Sequence, residues 1–121
     1  MAAHLKAGRD YLRRGAHAKA AAEFASVREL DPRNADAIAG LGDVAFEQGH
    51  YQEATVHLKA ALRLQPRRAG FHVSLGNAYY KLGRVKEAVA EYKTALKLNP
   101  NLEEARHALG VAEDRLRGGP P

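Results

Sequence analysis

The sequence predicts an all-α fold, an array of three helical hairpins closed by a seventh helix, on three observations. Gly8, Gly42, Gly76 and Gly110 stand 34 residues apart, and Ala20, Ala54 and Ala88 keep the same interval. A fixed period of this length marks one supersecondary unit recurring in a stacked array. Within each period the apolar residues recur at spacings of three and four, the pattern of amphipathic helices. Leu5, Leu12, Ala16 and Ala20 in the first period align with Ala39, Phe46, His50 and Ala54 in the second. Finally, each period is broken at two constant places, by Gly15, Gly49 and Gly83 and by Pro32, Pro66 and Pro100.

These breaks define the elements in order. The first hairpin spans about 2–14 and 17–30, the second about 35–48 and 51–64, the third about 69–82 and 85–98, and a last helix runs over about 103–117. Each leading helix stops at its glycine, which takes the left-handed C′ conformation without a Cβ penalty. Each second helix stops ahead of its proline, which cannot continue the hydrogen-bond ladder. Asn101 followed by Glu104 resembles a capping box for the last helix. The repeats are therefore residues 1–34, 35–68 and 69–102, with a cap or half repeat at 103–117 and a disordered tail at 118–121.

Small residues mark close approach. Gly8, Gly42 and Gly76 fall mid-helix, where glycine costs up to ~1 kcal/mol relative to alanine. Ala20, Ala54 and Ala88 are expected to face them. Phe24, Leu58 and Tyr92, one turn later, supply the larger contacts, with Tyr11 and Tyr79 in equivalent places on the leading helices.

With these residues in register, the chain resembles three tetratricopeptide repeats followed by a solvating helix. Leu75-Gly76, Tyr79, Ala88, Tyr92, Ala95 and Pro100 carry the family pattern, with His72 in place of the leading tryptophan. The second repeat has Ala45 where an aromatic is usual, and the first has Ala7 before its glycine. The last helix keeps Leu109-Gly110 but has Glu113 and Arg106 at the aromatic and tryptophan positions, a polar face suited to an array end. The resemblance covers about residues 1–117 and implies a right-handed α-solenoid. Met1 lies in phase with the repeat, so a piece of a longer protein fits as well as a complete chain.

The bulk composition narrows the function. The chain has 121 residues, no cysteine, a net charge of +5 and a pI near 9.7. Disulfides and thiolate metal sites are excluded. Lys6, Arg9 and Asp10 stand where a signal peptide needs an apolar core, and no apolar run suffices to span a bilayer. A soluble cytoplasmic protein is the expectation. No two of the six histidines stand three or four residues apart, so no metal site is expected; His17 and His50 fall at turns, His72 packs, and the others are exposed. The carboxylate pairs Asp43/Glu47 and Glu103/Glu104 lie on solvated faces, and every glycine is absorbed by the repeat. The expectation is a protein that is not an enzyme and needs no cofactor.

The resemblance implies that the leading helices line a concave surface. That register gives Leu5, Arg9, Leu12 and Arg13; then Ala39, Asp43, Phe46 and Glu47; then Val73, Asn77, Tyr80 and Lys81; with His107 and Arg115 from the last helix. Apolar anchors at Leu12, Phe46 and Tyr80 beside alternating charge suit an extended or helical partner segment. A competing use of the same charges is cross-helix ion pairing, Arg9–Asp43, Arg13–Glu47 and Glu47–Lys81. The family's two-carboxylate clamp for chaperone tails uses Lys and Asn on the first helix, Asn on the third, and Lys and Arg on the fifth. Leu5, Arg9, Gly40, Gly70 and Ser74 stand there, so the clamp is expected to be absent. The functional expectation is an adaptor that binds a protein or peptide partner. The alternatives are a scaffold that self-associates through its ends or convex face, and nucleic-acid binding through Arg28, Arg33, Arg63, Arg67, Arg68 and Lys97 at the turn edge.

Overall fold

A computed structural model describes residues 1–118, and they form seven helices joined by short turns. These are α1 (Ala2–Arg13), α2 (His17–Leu30), α3 (Ala35–Glu47), α4 (Tyr51–Leu64), α5 (Ala69–Lys81), α6 (Val85–Leu98) and α7 (Glu103–Leu116). Helix ends lie within a residue of those expected from glycine and proline placement. Among the described residues no helix is long and apolar enough to cross a membrane. Of the expected tail, Gly118 is described, closing α7 with a φ of 85°, and residues 119–121 lie outside the described residues.

The punctuation is local backbone chemistry. Gly15, Gly49 and Gly83 have φ of 77°, 83° and 81°. This conformation lets the residue after each glycine donate its N–H back into the helix, Ala16 to Tyr11 O, His50 to Ala45 O and Arg84 to Tyr79 O, all at 2.8–2.9 Å. The pattern is the Schellman closure, which satisfies carbonyls that the helix end leaves without partners. Ahead of each proline, Asp31, Gln65 and Asn99 are extended, with φ of −143°, −138° and −143°. The proline ring disfavours helical backbone at the preceding residue. Asp31 and Asn99 then accept the N–H two residues on, from Arg33 and Asn101, at 3.2 Å.

Caps at the next helix starts differ between repeats. Asn34 accepts the Ala37 N–H at 3.0 Å and caps α3. The capping box expected at Asn101 does not form. α7 starts one residue later, with Leu102 as N-cap and no side-chain hydrogen bond. Asn101 is tied instead to the preceding turn through Asn99, and Arg106 holds the helix start by bonding Glu103 at 2.6 Å and the Pro100 carbonyl at 2.7 Å.

The helices gather into two units, Met1–Pro66 and Arg67–Pro121. In the first, α1 packs on α2, α2 on α3 and α3 on α4, and α1 also reaches α3. Phe24, 1% exposed, is its centre, surrounded by Ala20 and Val44 and by the half-buried Leu5, Tyr11, Leu12 and Leu41. A β-carbon on Gly8 would lie 2.7 Å from the Phe24 ring, and one on Gly40 would lie 2.5 Å from it. The ring therefore occupies a slot between two glycines on different helices. Burial of such a side chain contributes roughly 1.5–3 kcal/mol. Gly42 gives the α3–α4 pair its close approach, its absent β-carbon lying 3.0 Å from Leu58 and 3.4 Å from the Ala54 carbonyl.

In the second unit α5 packs on α6, α6 on α7, and α5 reaches α7. Gly76 meets the Tyr92 ring at 2.7 Å. The alanines were expected to face the period glycines directly. Instead Gly8 and Gly76 are filled by the aromatic ring one turn later, and only at Gly42 does the alanine come near, through the Ala54 carbonyl behind Leu58.

Candidate functional site: the face of the leading helices

In the first unit α1 and α3 place the candidate residues on adjoining helices. Leu5 and Leu12 are half-buried and lean on the Phe24 cluster, so they serve the core and the surface together. Arg9 is exposed, and Arg13 pairs with Asp10 on its own helix. The Arg13–Glu47 bridge is thus replaced by a local pair, since a side chain one turn away is closer than one on the next helix. The Lys6 hydrogen bond, together with Arg13 and Arg14, holds the Asp10 carboxyl below its usual range. Phe46 is half-buried and meets Tyr51 edge to face, ring centroids 5.2 Å apart. Glu47 is exposed and Asp43 half-buried.

In the second unit, Tyr80 on α5 lies under the Arg115 guanidinium of α7, 5.1 Å from its ring centroid. Asn77 accepts a hydrogen bond from the Tyr92 hydroxyl at 2.6 Å, which gives it a structural duty. Burial, followed by the charges of Tyr80 and Glu104, pushes the Tyr92 phenol up to about 12. Lys81 and His107 are exposed.

Two expected groove residues are corrected by burial. Ala39 and Val73 retain only 3% and 5% of their surface and belong to the core.

A polar feature escaped the sequence reading. His4 Nδ1 meets Glu23 Oε2 at 2.5 Å, and His72 Nδ1 meets Glu91 Oε1 at 2.8 Å. Both pairs join the two helices of one hairpin across 19 residues, and they stand two periods apart. That recurring 19-residue spacing was the available signal. His72 is therefore a polar tie between helices as well as a packing residue. In the second repeat Ile38 and His57 occupy these places. His57 is half-buried and not exposed as expected; burial lowers its pKa, Glu53 opposes that, and Arg28 adds to it. Among the described residues no three His, Asp or Glu side chains converge as a metal site.

Several arginines lie on aromatic rings. Arg68 sits 4.2 Å from the Phe71 centroid and Arg84 sits 4.8 Å from that of Tyr79.

The TPR repeat family model matches residues 42–83 and 76–113, and a second, tetratricopeptide repeat, matches residues 11–55. The chain belongs to the tetratricopeptide repeat family. No curated protein matches it significantly. Among solved structures, it resembles the first tetratricopeptide repeat domain of Spaghetti (RPAP3) bound to the HSP90 peptide SRMEEVD. That match has 22% identity and a TM-score of 0.89, covering 95% of this chain and 91% of the other. It is similar to the Sgt2 tetratricopeptide repeat domain from Aspergillus fumigatus at 16% identity and a TM-score of 0.89, over 98% and 83% of the two chains. An O-GlcNAc transferase mutant from Thermobaculum terrenum matches at 30% identity and a TM-score of 0.88, over 91% of this chain but 21% of that one. The two domains below 25% identity share the tetratricopeptide repeat fold with this chain.

Proposed function

We propose that this tetratricopeptide repeat chain is a non-catalytic module that holds a segment of a partner protein against its leading helices. The observation that carries this is the pairing of leading helices within each unit, α1 with α3 and α5 with α7. Their adjoining faces present Arg9, Phe46 and Glu47 in one unit and Tyr80, Lys81 and His107 in the other. Such mixtures of aromatic anchors and charge are how helical repeats take extended or helical segments. Leu5, Leu12, Arg13, Asp43 and Asn77 frame these anchors and divide their contacts between the partner and the fold.

The partner is not taken by the family's chaperone-tail clamp, although a structural relative was solved with an HSP90 peptide. The clamp positions hold Leu5, Arg9, Gly40, Gly70 and Ser74. At Gly40 an asparagine would collide with the Phe24 ring, which already lies 2.5 Å from where its β-carbon would be.

Site-specific photo-cross-linking tests the site. A photoreactive residue placed at Arg9 or Lys81 is expected to capture the same partner from lysate, whereas one at Val56 or Thr94 on second helices is not. Capture from Val56 and Thr94 alone would move the interface to the opposite face.

Self-association is the second reading, favoured by Gly110, whose absent β-carbon meets nothing within 4 Å beyond its own stretch of helix among the described residues, where Gly42 and Gly76 are filled. Sedimentation at high concentration separates the two: a strict monomer rejects the scaffold.

A further inference from the structure

The second unit carries a cavity of about 410 Å³ between the α5–α6 turn and the end of α7. Its lining includes Arg84, Val85, Lys86, Glu87, Arg115 and Leu116. Arg84 forks onto Glu87 at 2.8 and 2.5 Å, and that pair offsets its own charge. Lys86 and Arg115 have no carboxylate partner among the described residues. The cavity therefore has a surplus of positive charge. It also has an apolar component, since Leu116 keeps 45% of its surface exposed, next to the largely closed-over Val85 at 8%.

Arg115 is held in place by the Tyr80 ring. A guanidinium drawn to an aromatic face by cation–π attraction is restrained in place, and its N–H donors that do not face the ring can meet a carboxylate. The repeat does not require any of this. Two periods earlier the matching residues are Ala16, His17, Ala18, Lys19, Glu47 and Gln48, and Leu12 stands where Tyr80 does. The first unit folds with those, so the cationic lining of the second is not a packing necessity.

We propose that this cavity docks an acidic linear segment of a partner protein. An aliphatic side chain sits against Leu116, and flanking Asp or Glu carboxylates meet Arg115 and Lys86. The inference rests on the reading of the chain as a partner-binding module and assigns that partner its chemistry. It concerns side-chain carboxylates, and the residues that meet them lie outside the positions of the chaperone-tail clamp. An apolar contact beside two cations favours an acidic peptide over a nucleic acid, whose backbone would want a longer track of charge.

The test is an amide NMR titration of the full chain with the blocked peptide acetyl-Gly-Ser-Glu-Glu-Leu-Glu-Glu-Ser-Gly-amide at low salt. Saturable shifts are expected at residues 83–87 and 115–116. Arg115→Ala and Lys86→Ala should each weaken binding about tenfold. Arg115→Lys should fall between, keeping the charge but losing the planar fork of N–H donors. The counterpart with glutamine for glutamate should not bind. Unchanged amide dispersion in each variant shows that the fold is intact.

The proposal is overturned by any of three results: no saturable shifts, shifts indifferent to Arg115→Ala, or tighter binding of an oligothymidine to the same amides. If the probe fails while cross-links form from Arg9 and Lys81, the cavity assignment falls and the leading-helix face stands. Probe binding without those cross-links gives the reverse.

Discussion

At the residue scale, the glycines separate packing from propensity. A methyl on Gly76 would press on the Tyr92 ring and one on Gly8 on the Phe24 ring, each at 2.7 Å. Overpacking of this kind typically costs ~1–3 kcal/mol. Gly110→Ala adds a methyl to open space on an exposed helix and should gain up to ~1 kcal/mol from helix propensity. Urea unfolding of Gly8→Ala, Gly76→Ala and Gly110→Ala should thus show two losses and one gain. His57 supplies a pH dependence. Burial is the main cause that lowers its pKa from 6.5, so the folded state prefers the neutral ring. That contribution is fully present above the unfolded value and is lost as pH falls through the folded one. The drop in stability on acidification below about pH 6.5 should shrink in His57→Gln, as read by urea midpoints across that range.

At the element scale, each helix is delimited by one or two residues with a definite duty. Asn34 is the side-chain cap of α3, and Asn34→Ala should cost about 1 kcal/mol. Hydrogen exchange should also show faster exchange at the Ala37 amide, whose acceptor is lost. Tyr92 joins α6 to α5 through Asn77 at 2.6 Å. Tyr92→Phe keeps the ring in the slot of Gly76 but leaves a half-buried amide oxygen without its donor, at a cost of about 1 kcal/mol. Thermal unfolding checks this against Tyr92→Leu, which loses the ring as well and should be destabilised further. The His4–Glu23 and His72–Glu91 ties show the same logic, one polar contact fastening two helices of a hairpin.

At the scale of the whole molecule, the two units use one repeat plan with different surfaces. Leu12 and Glu47 in the first correspond to Tyr80 and Arg115 in the second. Interfaces concentrate their energy in a few large anchors. Phe46→Ala combined with Tyr80→Ala is therefore expected to weaken a captured partner at least about tenfold while leaving helical circular dichroism unchanged. Unchanged affinity in the folded double variant would reject the leading helices as the site.

The elements were legible in the sequence because what ends a helix acts within a few residues. A positive φ at Gly15, Gly49 and Gly83 and the extended residue before each proline are demands of the local backbone, and the 34-residue period repeats them in phase. Part of the candidate face was legible too, since a helical register selects Arg9, Phe46, Tyr80 and Lys81 as one side of their helices. Exposure and pairing were not. Ala39 and Val73 share that register and are buried, Phe24 is shared by Gly8 and by Gly40 outside the period, and Arg115 finds Tyr80 across 35 residues. The sequence by itself determined the period, the helices and their stops. Only the tertiary structure decided which side chains close the core and which remain for a partner, because that depends on the helix lying opposite, many residues away along the chain.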